Sequence, residues 1–434
     1  MRLTVIGTGF VGVVTSAVFA KFGNQVIGLD IDEAKIASLN DGHAPFFEPQ
    51  LDDLLQEALA KKNLTFTTDY QQAISTADVI FIAVGTPSAP DGTADLKYVE
   101  LATKAMAPHL KDGAIVALKS TVPPGTSSKV SELLQAHTNK NFFVASLPEF
   151  LKEGSAVYDT LNPDRVVIGA TEPQVIEILL QLHEPLSGKR IIVSPESAQM
   201  AKYSANAYLA QRITFINQIA NLCEKNGANI KEVIQAIGAD ARIGSHYWYP
   251  GLGYGGSCFP KDVKELAAYA RSVGEADSLL VKIDELNDAR IENKMIEFGD
   301  VVGGWNGKKV AVLGLSFKPN TNDMREAPSL KVIPHLVEQG ATVVAHDPQA
   351  MDEAKALLPD IIYALDPYEA AKGAHVIMLL VEWSALTNLD LQKLYSLAHK
   401  DCHFIDTRNQ YDPQSVKHVG FNYLGIGIKQ AEHN

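Results

Sequence analysis

Apolar residues fall along this chain in short blocks, each followed by a longer amphipathic stretch, which is the rhythm of an α/β sheet. Residues 3–6 read as a buried strand. Residues 11–22 read as a helix that Gly23-Asn24 stops, and 25–29 as a second strand ending at Asp30. Further strands are predicted at 79–84, 115–118, 142–145 and 165–168, with helical segments between them. That alternation predicts a parallel sheet covered on both faces. The rhythm then changes. From 197 to about 226 the apolar spacing stays helical with few breakers, predicting one long connecting helix. Residues 233–237, 262–272 and 279–298 also read as helical. At Lys308 the first rhythm returns: a strand and glycine turn in KKVAVLGLSFKPNT, a helix over 329–339, and strands in ATVVAHDP, HVIMLLV and HFIDTRN. The expected fold is α/β, with two Rossmann-like domains joined by a long central helix and a helical middle. The expected boundaries are 1–196, 197–300 and 301–434.

At 434 residues the chain is too long for one ordinary domain, and 46% hydrophobic content is ample for large cores. A net charge of −13 argues against a nucleic-acid partner but not against small anionic ligands. Cysteines at 223, 258 and 402 make no disulfide framework and fit a reducing compartment. MRLTVIGTGF lacks the apolar core of a signal peptide, and no run of about 18 apolar residues exists, so a cytoplasmic location away from membranes is expected. Twelve histidines are scattered without ligand spacing, and no metal site is expected.

Gly7-Thr8-Gly9-Phe10-Val11-Gly12 fits the pattern G-x-G-x-x-G. The pattern alone is weak, but here it follows a strand, opens a helix and precedes an acidic residue, Asp30, at about the spacing a dinucleotide site uses. The first glycine permits the tight turn, the second lets backbone reach a pyrophosphate, and the third lets helix and strand pack closely. Asp30 suits ribose hydroxyls and repels a 2′-phosphate, so NAD is expected over NADP. Gly85-Thr86-Pro87 and residues 120–126, STVPPGT, sit at strand ends where ligands bind, although Pro and Gly also make ordinary turns. The second glycine turn, GLSFK at 314–318, lacks the later glycines. It reads as a nucleotide-sugar or mononucleotide loop with Lys318 or Arg325 near phosphate, or as a plain turn.

The densest chemical signal is GYGGSCFPKD, residues 253–262. It places Cys258 among glycines, with Lys261 and Asp262 next along the chain. A nearby cation favours the nucleophilic thiolate. Cys223 and Cys402 lie in apolar runs and read as inert core. Lys202 and Asn206, four apart on the long helix, share a face and could serve an oxyanion, or form a polar stripe. Glu149 and Glu153 are likewise four apart and could bind water or be solvated.

Taken together, GTGFVG, VGTP, STVPPGT, PEFLKEG, NPDRVVIG, KYSANAYLA, GLGYGGSCFPKD and LGLSFKPNTNDMRE resemble the UDP-glucose/GDP-mannose dehydrogenase family almost end to end. GLGYGGSCFPKD and NPDRVVIG look most like its UDP-glucose branch. The resemblance implies an NAD domain, a long helix used in dimerisation, and a C-terminal UDP-binding domain. It implies a homodimer or higher oligomer and a four-electron oxidation of the sugar C6 alcohol through a sulfur-bound intermediate on Cys258. It assigns Lys202 to stabilising the oxyanions or exchanging the hydroxyl proton, with Asn206 beside it, and Thr121, Glu149 and Asp262 to water and proton handling. Gly7, Gly9, Phe10, Val11, Gly12, Asp30, Lys35, Thr86, Thr121, Glu153, Lys261 and Arg325 are implied at the cofactor. The stretch of Glu149, Phe150, Leu151, Lys152 and Glu153 is implied at the sugar nucleotide, with Tyr247, Tyr249, Pro250, Gly251, Gly255 and Lys318. Arg242 is implied to reach across the dimer. Lys152 stands where many relatives have arginine, and the polar tail after about 425 carries no family motif. Dehydrogenases of GDP-mannose and UDP-N-acetyl-mannosamine share the cysteine, lysine and asparagine. A sensor with a retired site or a one-step alcohol dehydrogenase are the readings from other classes.

Overall fold

A computed structural model describes residues 1–276 and 278–429, so the end of the polar tail lies outside the described residues. The chain forms two compact units. The first is residues 1–205 with 264–276, and the second is 206–263 with 278–429.

The first unit is built on eight strands: β1 (Arg2–Ile6), β2 (Gln25–Leu29), β3 (Leu64–Thr67), β4 (Val79–Ile82), β5 (Ala114–Leu118), β6 (Phe142–Ser146), β7 (Arg165–Gly169) and β8 (Lys189–Val193). Their order is β3-β2-β1-β4-β5-β6-β7-β8. β4 and β5 are apolar at every position because both faces are covered. In β4, Val79 and Phe81 enter one core while Ile80 and Ile82 enter the other. Helix α1 (Phe10–Lys21) is buried from Gly12 to Ala20, which its nearly all-apolar sequence requires. The sheet grows in both directions from β1, whose neighbours are β2 and β4. The loops after Ile6 and Ile82 therefore flank a topological switch point, where open α/β sheets bind ligands.

The sheet is not wholly parallel, as the alternation had led us to expect. β6 meets β7 antiparallel through Ser146 and Gly169, and β7 and β8 are parallel to each other. The connection from β6 contains one six-residue helix, Ala156–Leu161. That helix advances only about 9 Å, well short of a return along a strand of about 16 Å. The rest of the connection is irregular chain carrying Glu149 to Glu153, so the next strand enters reversed. Two strands were not anticipated. β3 is only four residues long, and β8 is an exposed edge strand beginning Lys-Arg.

The second unit has six parallel strands, β9 (Lys309–Leu313), β10 (Thr342–His346), β11 (Ile362–Tyr363), β12 (Val376–Leu379), β13 (His403–Asp406) and β14 (Asn422–Gly425), in the order β11-β10-β9-β12-β13-β14. It repeats the switch-point geometry at β9. The helices outside the sheets include α2 (Pro173–Leu182), α3 (Pro195–Asn226), α4 (Phe259–Ser272) and α5 (Leu279–Val302). α3 is the expected long helix, 32 residues or about 48 Å. The division into units falls within α3 and within α4. No helix among the described residues is long and apolar enough to cross a membrane.

Candidate active site

The glycine loop after β1 has the shape a pyrophosphate needs. Gly7 has φ +96°, and a Cβ there would stand 2.7 Å from the Ala83 carbonyl oxygen. A Cβ on Gly12 would stand 1.8 Å from the Gly7 oxygen, so only glycine lets α1 start this close to the strand. A Cβ on Gly9 would meet nothing within 4 Å, leaving its backbone open to a ligand. Asp30 Oδ2 accepts from the Thr8 amide at 2.8 Å and the Thr8 hydroxyl at 2.7 Å, and Oδ1 from the Asp32 amide at 3.2 Å. Burial opposes the Asp30 charge, but the Thr8 bonds, the Asp32 amide and Lys35 outweigh it and hold the carboxyl below its usual range. The half-buried carboxylate is thus fixed, ionised and equipped with spare lone pairs for ribose hydroxyls. Lys35 lies on the surface with its Nζ 3.8 Å from Asp32. Thr86 reaches the next loop by donating to the Thr121 carbonyl at 2.9 Å. These residues fit a dinucleotide.

A second cluster forms at the ends of β5 and β6. Lys202 Nζ donates to Glu149 Oε1 at 2.8 Å, and their side chains are 4% and 9% exposed. Lys202 also stands 5.4 Å from the Phe150 ring, whose face carries the Arg165 guanidinium at 3.8 Å. Glu149 Oε2 accepts from the Leu151 amide at 2.7 Å, which folds the stretch back on itself. Lys152 is peripheral, paired at 3.6 Å with Asp159, whereas Glu153 is buried. Sequence reasoning passed over Lys119, the residue after β5. Burial pulls its ammonium down to about 8, Glu149 opposing that pull and Lys202 adding to it.

In the second unit, the Cys258 carbonyl accepts the Asp262 amide at 2.8 Å, so Cys258 caps the N-terminus of α4. A helix N-terminus favours negative charge and is a recurrent setting for reactive thiols. The thiol is exposed, whereas Cys223 and Cys402 are buried with their thiols pushed up by burial. Asp262, one turn into the helix, is 1% exposed. Its Oδ2 accepts from Asn206 Nδ2 at 2.5 Å, and its Oδ1 from Lys261 Nζ at 2.6 Å.

The glycines before Cys258 are dictated by close backbone. A Cβ on Gly255 would stand 2.1 Å from the Glu326 oxygen, and one on Gly256 (φ +85°) 2.6 Å from the Phe317 ring. The Gly256 amide donates to the Arg325 carbonyl at 3.0 Å. Arg325 itself is exposed and clasps Asp323. Upstream, the backbone of 251–254 is held by three side chains that sequence reasoning missed. Asn217 Oδ1 accepts the Gly251 amide at 2.9 Å, and Arg290 Nε donates to the Gly251 carbonyl at 2.9 Å. Asn287 takes the Tyr254 amide at 2.9 Å and donates to its carbonyl at 3.1 Å. Tyr247 (φ +64°) lies 5.6 Å from Tyr249 and 6.3 Å from Phe259, ring to ring. Arg242 is exposed and bonded to Asp240 at 2.7 Å.

The switch point of the second sheet is not a dinucleotide site of the first kind. Asp347, the counterpart of Asp30 at the end of β10, is 1% exposed. Its Oδ2 accepts the Leu315 amide at 2.7 Å, the Ser316 amide at 3.1 Å and the Trp383 indole at 3.2 Å, so that oxygen is already taken up by the protein's own donors. Lys318 lies near Phe317, its Nζ 5.1 Å from the ring. Glu382 and Arg408, each just past a strand end, form a two-bond ion pair at 2.6 Å. Burial opposes both charges, yet each partner keeps the other ionised. A Cβ on Gly251 would come 3.1 Å from the Arg408 guanidinium. The signal for both residues was their position at carboxyl ends of strands.

Comparison with known proteins follows the same lines. Residues 1–187 match the NAD binding domain of the UDP-glucose/GDP-mannose dehydrogenase family, 196–289 its central domain and 311–413 its UDP binding domain. The Bacillus subtilis UDP-glucose 6-dehydrogenase TuaD is 42% identical over 98% of this chain and 93% of its own length. A Pseudomonas aeruginosa UDP-glucose 6-dehydrogenase is 42% identical over 100% and 99%. The solved UDP-glucose dehydrogenase from Pyrobaculum islandicum superposes with a TM-score of 0.90 at 35% identity, covering 97% of this chain and 98% of that one. The chain belongs to the UDP-glucose/GDP-mannose dehydrogenase family.

Proposed function

We propose that this protein oxidises the C6 alcohol of UDP-glucose to the carboxylate of UDP-glucuronate. The observation that carries the reading is Cys258 at the N-terminus of α4, with Asp262 one turn along, fixed by Asn206 and Lys261. The 7–12 loop and Asp30 would hold NAD, which when bound would supply a hydride acceptor, one NAD for each of two oxidations at C6. The chain's own work is to move protons and hold the sugar between them. In the first oxidation the C6 hydroxyl proton passes to a basic group, and Lys202 and Asn206 stabilise the developing oxyanion. The Cys258 thiolate then adds to the aldehyde carbon, forming a C–S bond and a tetrahedral alcohol that can be oxidised again. After the second oxidation C6 is a thioester. Water, deprotonated with the help of Thr121, Glu149 and Asp262, adds to it. The C–S bond breaks, the thiolate is regenerated and the carboxylate forms.

Glu149 to Glu153, Tyr247 to Gly251, Gly255 and Lys318 bind the sugar nucleotide. Lys35, Thr86, Glu153, Lys261 and Arg325 complete the cofactor's surroundings. Residues 1–196, 197–300 and 301–434 divide the labour into cofactor binding, dimerisation and UDP-sugar binding. Tyr208, Phe215 and Leu222, seven apart on α3 and each half exposed or more, form an apolar stripe that a second copy covers. Arg242 contributes across that dimer. The chemistry needs a reduced cysteine, which supports a cytoplasmic location.

The test supplies purified protein with UDP-glucose and NAD and counts NADH per sugar. Two per sugar with a uronic acid product is expected. One per sugar, or a preference for GDP-mannose or UDP-N-acetyl-mannosamine, overturns the reading.

A further inference from the structure

Glu48 has no part in the chemistry above. It lies in irregular chain between helices Glu33–Asn40 and Leu51–Ala60, far in sequence from any catalytic stretch. Yet its side chain is buried, 6% exposed. Its Oε2 accepts the Gly154 amide at 2.6 Å and its Oε1 the Ala156 amide at 2.7 Å. One carboxylate therefore satisfies two backbone donors across more than a hundred residues of sequence. A buried carboxylate is costly to place, and a short local side chain would cap the same amides more cheaply.

The turn it grips directly follows Glu149 to Glu153. Gly154 has φ +80°, the left-handed conformation that lets the chain reverse after Glu153. The other side of the stretch is fixed by Arg165 on the Phe150 ring and by Asp159, which accepts the Lys152 amide at 3.0 Å. Glu48 closes the third side. Its own segment is held firmly. Phe46 packs on Phe10 of the glycine loop with ring centroids 4.6 Å apart. Gln50 takes a left-handed backbone, φ +68°, which a non-glycine residue adopts only when its surroundings impose it.

We propose that Glu48 is a positioning residue that sets the Glu149–Glu153 stretch for the sugar nucleotide. The inference rests on the reading of that stretch given under Proposed function. It predicts an unusual sensitivity to amide substitution. Glutamine has the same shape but offers one acceptor oxygen and one NH2, so one backbone donor would face another donor.

The test is steady-state kinetics of full-length wild type, Glu48→Gln and Glu48→Asp, varying UDP-glucose and NAD in turn. Misplacement of the stretch by a fraction of an ångström to 1 Å should lower kcat/KM for UDP-glucose by roughly 10- to 100-fold in Glu48→Gln. The kcat/KM for NAD should fall several-fold less, since Glu153 is the one residue of the stretch placed beside the cofactor, a split that general loss of structure would not give. Glu48→Asp, which keeps both acceptors, should recover a substantial part. If Glu48→Gln does not fold, Gly154→Ala substitutes for it, because it opposes the left-handed turn while leaving Glu48 in place, and it should show the same split. Kinetics like wild type in Glu48→Gln, or in Gly154→Ala where that stands in, overturn the inference. So does a parallel loss in both substrates' parameters that aspartate does not repair. Wild-type protein inactive on UDP-glucose would instead sink the parent reading.

Discussion

Replacing Gly255 with alanine tests whether the loop before Cys258 is set by backbone crowding. The added Cβ would stand 2.1 Å from the Glu326 carbonyl oxygen, 3.1 Å from the carbonyl carbon and 3.7 Å from Ala327 Cα. Carbon–oxygen contacts settle at about 3.3 Å or more, so the two segments must part by about 1.2 Å. Every crowding atom is backbone, which leaves no side-chain end to swing away. Retreat is hindered on the next residue too, since Gly256 is tied to the Arg325 carbonyl and crowded by the Phe317 ring. Overpacking of this kind costs about 1–3 kcal/mol, enough to displace the loop without unfolding the protein. Cys258 is three residues on. A displacement of about 1 Å at a reacting group lowers the rate about 100-fold, or about 2.7 kcal/mol in barrier. The assay is NADH production at saturating NAD, with circular dichroism to confirm folding. Gly238→Ala is the control, because its nearest atom would be 3.4 Å away, an ordinary contact, and it should stay within about two-fold of wild type. Gly255→Ala turning over within about two-fold of wild type would refute the reasoning.

Three further outcomes are expected. Asp30→Ala removes the acceptor proposed for the cofactor's ribose and should raise the KM for NAD about ten-fold or more, with a smaller change in the KM for UDP-glucose; equal changes in both would count against the assignment. Asn287→Ala strips both partners from the Tyr254 backbone and should destabilise the second unit by about 1–3 kcal/mol in urea unfolding, and Asn287→Asp, whose second oxygen would face the Tyr254 carbonyl, should not recover the loss. His183 is held neutral, its pKa pushed down to about 4 by burial and by the Lys119 charge. Between pH 6.5 and 4 the unfolded chain binds a proton that the folded chain refuses, so stability falls as pH falls, by up to about 3 kcal/mol near pH 4. Urea titrations across that window should show His183→Gln losing less stability on acidification than wild type; parallel curves would exclude His183 as the cause.

Much of the fold was legible because the strands that dominate it are buried on both faces and read as unbroken apolar blocks. β4 and β5 are of that kind, as are β9 and β12. β3, β8, β11 and β14 lie toward or at the sheet edges, where short length and polar neighbours blur the pattern. The antiparallel entry of β7 was illegible because direction depends on how far a connection travels, not on composition. The candidate reactive residues stood out where the sequence is unusual for a core or a plain turn, as at GYGGSCFPKD. Asn287, Arg290 and Glu48 did not, because each acts on backbone donors or carbonyls far along the chain. Nothing in the local sequence of an asparagine on a helix or a glutamate in a loop records which amide it will meet.

The proposed oxidation requires a covalent bond between Cys258 and C6 of the sugar. Enzyme quenched in acid during turnover with UDP-glucose and NAD, digested and analysed by mass spectrometry, tests that bond directly. A sugar-nucleotide acyl group on the peptide carrying Cys258, absent from Cys258→Ser, is the expected result. Steady turnover to the uronic acid by Cys258→Ser, with no adduct on the wild-type peptide, would contradict it.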